Sequence, residues 1–178
     1  NKEIDIMCLY WLADCYYQLR DYTKSINYYT EFISTPSNSL MDKVSVSKYN
    51  LAYAYFQSKQ YSQSVKYFRK AINSDLDDSR MQDSKLRLAD SYFMLSAFKN
   101  ASKYYEKSTE NNTSQDYALY QESKCYALLS DYRKQEECLS ELTSTFEESP
   151  YYQRSLFNMA NLYKNQDKNE KALNYYDK

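Results

Sequence analysis

Residues 51–68, LAYAYFQSKQYSQSVKYF, decide the fold, because their skeleton returns three more times. It reads LADCYYQLRDYTKSINYY at 12–29, LADSYFMLSAFKNASKYY at 88–105 and MANLYKNQDKNEKALNYY at 159–176, with a worn fifth copy, ESKCYALLSDYRKQEECL, at 122–139. The small-residue anchors Ala13, Ala52, Ala89, Ser123 and Ala160 lie 39, 37, 34 and 37 residues apart. A period of this length with two helix-sized halves predicts a stacked helical array, not a single-core enzyme domain.

Within 51–68 and its flanks, Tyr49, Ala52, Tyr53 and Phe56 share one face of a first helix, and Tyr61, Val65, Phe68 and Ile72 share one face of a second. The polar joint between them, Ser58-Lys59-Gln60, is short enough to force antiparallel packing, as is Leu19-Arg20-Asp21 in the first copy. The small anchor lets two helix backbones approach closely, and Tyr16, Tyr55, Tyr92, Tyr126 and Tyr163, three residues on, fill the space beside it. Both prolines fall between copies: Pro36 marks the break after the second helix of copy one, and Ser149-Pro150 reads as a cap and first turn. The clusters Ser37–Ser39, Asp75–Ser79 and Asn111–Ser114 read as the other between-copy turns.

Composition removes most catalytic options. The 178 residues contain no His and no Gly. Without His there is no imidazole base, no Ser-His-Asp or Cys-His arrangement and no His-ligated metal. Without Gly there is no phosphate-cradling loop. Twenty-three Lys and Arg balance 24 Asp and Glu without long like-charge runs, so nucleic acid is not the expected partner. No apolar run reaches membrane-spanning length. Cys8 and Cys15 are two helical turns apart, too far for a bridge, and no CxxC occurs. All four cysteines, Cys125 and Cys138 included, are expected to be small, reduced, buried core residues.

The skeleton of Leu, small residue and Tyr, followed by an aromatic, Ala or Ser, and Tyr or Phe, resembles the tetratricopeptide repeat. Leu12, Ala13, Tyr16, Tyr22, Ser25 and Tyr29 fall on its motif positions, as do Leu51, Ala52, Tyr55, Tyr61, Ser64 and Phe68. Leu88, Ala89, Tyr92, Phe98, Ala101 and Tyr105 do the same, then Met159, Ala160, Tyr163, Ala172 and Tyr176, with Asn169 in place of an aromatic. Copy four keeps only Ser123, Tyr126, Tyr132 and Leu139 and is expected to be a weak joint. The resemblance implies an all-α fold, an α-α superhelix or solenoid of antiparallel helix pairs. About five repeats, near 6–38, 45–78, 82–114, 116–149 and 153–178, would form one array over 1–178, the last incomplete. The family's turn glycine is replaced by Arg20, Lys59, Ser96, Ser130 and Asp167, so these joints are expected to be regular helical turns or strained left-handed residues. STFEESPYYQRSLFNMANLY, residues 144–163, also resembles the longer-period arrays of bacterial envelope proteins, such as outer-membrane assembly lipoproteins. That favours the periplasm or the outer membrane over the cytoplasm.

In proteins of this kind the first helices line a concave groove that receives a partner segment. Carried over by position, one row reads Tyr10, Tyr49, Leu86, Tyr120 and Phe157, and a second Tyr17, Phe56, Phe93, Ala127 and Lys164. Asp14, Tyr53, Asp90, Lys124 and Asn161 lie between them. The partner-binding residues expected from the resemblance are Tyr10, Tyr17, Tyr49, Tyr53, Phe56, Leu86, Phe93, Tyr120 and Phe157. The Lys that clamps a terminal carboxylate in chaperone-binding members is replaced in every copy by a residue of the first row, so aromatic contacts are expected instead.

The expected function is a non-catalytic scaffold that binds a peptide or protein segment in the groove, without cofactor or metal. The alternative is a structural spacer or self-association segment of a larger solenoid. Helical patterning is already present at the first residues and persists to the last, so the chain reads as a fragment whose open ends could self-associate. An enzyme would need an acid/base pair such as Asp14 and Lys124, which lie three copies apart.

Overall fold

The computed structural model describes residues 2–35, 38–108 and 114–178. Among them are ten α-helices: α1 (Lys2–Gln18), α2 (Tyr22–Ser34), α3 (Met41–Gln57), α4 (Tyr61–Ile72), α5 (Asp78–Met94), α6 (Phe98–Ser108), α7 (Gln115–Leu128), α8 (Tyr132–Thr145), α9 (Tyr152–Lys164) and α10 (Asn169–Tyr176). The chain divides into two compact units, 1–95 and 96–178. The first holds the hairpins α1/α2 and α3/α4 followed by α5. The second holds α6 followed by the hairpins α7/α8 and α9/α10.

The extra length of the repeats goes mainly into the first helices: α1, α3 and α5 each run 17 residues, against 13 and 12 for α2 and α4. The expected breaks at Pro36 and Asn111–Thr113 lie outside the described residues. Asp75–Ser79 is only partly a turn, because the Asp77 carboxylate accepts from the Arg80 amide at 2.9 Å and starts α5 at Asp78. The start expected at Ser149-Pro150 is displaced to Tyr152. The Ser149 hydroxyl accepts from the Tyr151 amide (3.1 Å) and donates to Asp116 (2.6 Å), closing a turn instead of capping a helix.

The five joints resolve the open choice between regular turn and left-handed residue. Arg20, Lys59, Ser96, Ser130 and Asp167 all have φ between 58° and 61°. At Arg20 the amide donates to the Tyr17 carbonyl and the Asp21 amide to the Tyr16 carbonyl, both at 2.9 Å, the paired closure of a Schellman cap. The 6→1 bond recurs from Gln60 to Tyr55, Asp131 to Tyr126 and Lys168 to Tyr163. The motif tyrosine thus supplies the backbone acceptor that ends its helix. Asp21 and Asp131 then cap the next helix by accepting from Lys24 and Lys134 amides.

The small anchors are fully buried, and so are Tyr29, Phe68, Tyr105 and Leu139 at the facing position of the second helices. Leu51, Leu88 and Met159 are also buried, each such side chain contributing roughly 1.5–3 kcal/mol. Leu12, at the same position of α1, is 40% exposed. The motif tyrosines stack on a tyrosine twelve residues later: Tyr16 on Tyr28 (5.5 Å, 3°), Tyr55 on Tyr67 (5.3 Å, 24°) and Tyr163 on Tyr175 (5.5 Å, 31°). In copy four that partner is Cys138, buried beside Tyr126 in a cluster with Leu119, Tyr120 and Leu142.

Two of the four cysteines depart from expectation. All four are free thiols, and Cys125 and Cys138 are buried, but Cys8 and Cys15 are exposed. They lie on the outward side of α1 with Ile4 and Trp11, spaced by helical turns.

Candidate partner-binding face on the first helices

In the first unit, α1, α3 and α5 bring one helix face each to a common surface, and its polar centre is built on Asp83. Tyr49 and Tyr53, one helical turn apart on α3, donate their hydroxyls to the same Asp83 oxygen at 2.8 and 2.5 Å. The two rings meet edge to face at 5.1 Å, and Tyr53 packs edge-on against the buried Phe68 at 5.3 Å. On α5, Arg87 pairs with Asp83 (3.4 Å) and with Asp90 (2.5 Å). Burial opposes the Arg87 charge, but Asp90, Tyr53 and Asp83 outweigh it and hold its pKa above the ordinary value. Burial, reinforced by the Asp83 charge, pushes Tyr49 up to about 12. Burial and the Asp83 hydrogen bond push Tyr53 further. Both phenols therefore remain donors across the physiological range, and their rings are held in place.

Beside this cluster lies a cavity of about 240 Å³, lined by Asp14, Tyr17 and Gln18 of α1, Tyr29 of α2, and Tyr49, Asn50 and Tyr53 of α3. Asn50 donates to the Tyr29 hydroxyl (3.1 Å), which in turn points a long 3.4 Å contact at Asp14. Burial, the dominant effect, raises the Tyr29 pKa.

The expected partner-binding residues divide accordingly. Tyr17, Tyr49 and Tyr53 line the cavity. Phe56 and Phe93 are half-buried, and Phe56 is packed edge-on against Tyr61 (5.4 Å) as Tyr17 is against Tyr22 (5.6 Å). Tyr10, Leu86 and Tyr120 are buried instead of presented. Tyr10 sits against Tyr29 and Phe32, Leu86 is 1% exposed, and the Tyr151 ring stacks over Tyr120 at 5.0 Å. Those three serve the core: Tyr10 beside the second-helix rings Tyr29 and Phe32, Tyr120 in the cluster with Leu119, Tyr126, Cys138 and Leu142, and Leu86 as a fully buried side chain of α5. Phe157 is 56% exposed and its ring meets that of Tyr176 at 6.0 Å. Sequence reasoning did not single out Asp83, Asn50 or Tyr29 as part of this surface. Asp83 belongs to the next repeat, 34 residues from Tyr49, so only the stacking of α5 on α3 and α4 brings it there.

Among the described residues no group of His, Cys, Asp and Glu is placed to hold a metal ion, and no helix is long and apolar enough to cross a membrane.

Comparison with solved structures identifies the architecture. The MamA protein superposes with a TM-score of 0.79 at 15% identity, over 97% of this chain and 88% of that one. MamA residues 41 to the end from Desulfovibrio magneticus give 0.76 at 12% identity, over 96% and 90%. YrrB, described as a TPR protein with an unusual peptide-binding site, gives 0.72 at 19% identity, over 93% and 79%. At these identities the likeness carries the fold alone: an all-α solenoid of antiparallel helix pairs. No curated protein sequence matches the chain. Family profiles described as tetratricopeptide repeat match residues 7–38, 46–78 and 153–178, just over half the chain and coincident with copies one, two and five. With the repeated skeleton, the left-handed joints and the helix hairpins, these matches show that the chain belongs to the tetratricopeptide repeat family.

Proposed function

We propose that this chain is a non-catalytic scaffold whose first unit binds a segment of another protein across the α1, α3 and α5 face. The observation that carries the reading is the Tyr49–Tyr53–Asp83 cluster beside an open cavity with four tyrosines in its lining. Tyrosines held by hydrogen bonds offer large contact area with little rotamer freedom left to lose on binding. YrrB, of the same fold, is described as having a peptide-binding site, which supports the class of ligand. The test is selection of a displayed random-peptide library against the chain, followed by fluorescence anisotropy with the selected peptides. Tyr49→Ala with Phe56→Ala should weaken binding about tenfold or more while the helical circular dichroism is retained. Unchanged affinity would refute the assignment of this face.

A second reading, self-association, rests on the outward side of α1. Trp11 is 53% exposed there, with Ile4 and Leu12, whereas Leu51 and Leu88 at the position of Leu12 are buried. Leu173 and Tyr176 of α10 are exposed as well, Leu173 at the position where α2 buries Ile26 and Tyr176 at the position where α2 and α4 bury Tyr29 and Phe68. Trp11 is the single tryptophan, so association through α1 should shift its emission to the blue as concentration rises, with a parallel rise in light-scattering mass. A constant mass with unshifted emission rules this reading out.

A further inference from the structure

The cavity in the first unit has a chemistry that selects its occupant. Its lining holds one charged group, Asp14, among four tyrosines and two amides, and no Lys or Arg. Among the described residues the half-buried Asp14 carboxylate forms no ion pair and accepts only the 3.4 Å contact from Tyr29. Three cations of the neighbouring helices are engaged: Arg87 with Asp83 and Asp90, Arg80 with Asp77 although its charge also reaches Tyr10 and Tyr49, and Lys43 over the rings of Tyr10 and Trp11 at 5.2 and 5.8 Å. The Tyr49 and Tyr53 hydroxyls are committed to Asp83, so what they offer a ligand is ring surface. Aromatic faces around a lone carboxylate attract a cation both through the ring quadrupole and through direct charge. At about 240 Å³ the cavity lies below the ~300–1,000 Å³ usual for small-molecule sites, a size suited to one side chain.

We infer that this cavity receives a basic side chain, arginine or lysine, of the bound protein segment, with Asp14 as its counter-ion and Tyr17, Tyr49 and Tyr53 as its aromatic walls. The inference rests on the binding face proposed above and states what that face recognises. The flanking amides of Gln18 and Asn50 are placed to hydrogen-bond the same segment. An acidic side chain would meet Asp14 with no Lys or Arg in the lining to offset it. The segment's affinity should therefore fall as salt is added, because part of the attraction is screened.

The test is an NMR titration of the full chain with N-acetyl-arginine amide, with its citrulline counterpart, which keeps the shape and removes the charge, and with N-acetyl-glutamate amide. The arginine compound should shift the backbone amides of 14–18 and 49–53 saturably. The citrulline compound should need about tenfold higher concentration, and the glutamate compound should not saturate. Asp14→Asn should erase the preference for arginine over citrulline, with resonances outside the cavity unchanged to show that the fold is intact. Tyr17→Leu should weaken the arginine compound severalfold by removing one wall. Equal affinity for arginine and citrulline, an unaltered preference in Asp14→Asn, or no saturable shift with arginine overturns the inference. Selected peptides that bind this face without a basic residue would overturn it too while leaving the face itself standing. Arginine binding in the cavity with no peptide selected would do the reverse.

Discussion

A side chain at positive φ crowds its own backbone, which is why glycine ordinarily closes a turn such as those at Arg20, Lys59, Ser96, Ser130 and Asp167. Lys59→Gly should therefore stabilise the chain by about 0.5–1 kcal/mol, the relief of crowding being partly offset by the extra freedom glycine has when unfolded. Lys59→Ala should give no such gain. Urea denaturation of the two variants checks the pair. The buried hydroxyls of Ser47, Ser84 and Ser155, which have no hydrogen-bond partner, make a second residue-scale case. Ser84→Ala should be neutral or stabilising by up to about 1 kcal/mol, since it removes an unpaired polar atom at little cost in volume. Glu122 is a third. It is buried in α7, and burial, opposed in part by the Tyr126 hydrogen bond and reinforced by Glu106 and Glu141, raises its pKa to about 7. An acid raised from 4.5 in this way favours the folded state when protonated. Its contribution is complete below pH 4.5 and is lost as pH rises through 7, amounting to roughly 3 kcal/mol at most. Glu122→Gln should flatten that part of the stability profile and stabilise the chain at pH 8. A profile that stays equally steep in the variant would show that Glu122 is not responsible.

At the scale of helices, the repeat skeleton fixes more than it reveals. The 3.6-residue spacing of Tyr49, Ala52, Tyr53 and Phe56 exposes which residues share a face. The polar joints show where each hairpin closes, and the copy-to-copy spacing shows that length has been added. What spacing omits is depth. Tyr10, Leu86 and Tyr120 lie on the expected face, yet all three are buried, Tyr10 beside second-helix rings and Tyr120 under Tyr151, because burial depends on how a neighbouring helix crosses. Asp83 was illegible for the same reason: its partnership with Tyr49 and Tyr53 exists only once α5 stacks beside α3. The tyrosine stacks are the element-scale counterpart of the joints, tying the ends of α1, α3 and α9 to α2, α4 and α10. Tyr55 and Tyr67 should show a coupling of about 0.5–1.5 kcal/mol in a double-mutant cycle with leucine, read from chemical denaturation. Copy four lacks this pair and carries Cys138 instead, in a thiol pushed up by burial and by Glu122. Together with the buried Glu122, that substitution supplies a physical reason to expect copy four to be the weak joint.

For the whole molecule, proton linkage and the proposed recognition share three tyrosines, Tyr29, Tyr49 and Tyr53. Tyr29, Tyr49, Tyr53, Tyr126 and Tyr163 all have pKa values raised, first by burial. Their folded forms hold a proton that the unfolded chain releases near pH 10, so this stability is intact below pH 10 and declines above it. The chain should therefore unfold cooperatively in alkali, with tyrosinate absorbance lagging behind that of exposed phenols until the transition. Three of these phenols, Tyr29, Tyr49 and Tyr53, kept neutral and fixed, line the face proposed for recognition in the first unit. Hydrogen exchange of the full chain, with and without a saturating selected peptide, tests that claim most directly. Added protection should concentrate in 14–18, 49–57 and 83–90, the segments of α1, α3 and α5 that build the face. Protection confined instead to the second helices α2 and α4, or to α9 and α10, would contradict it.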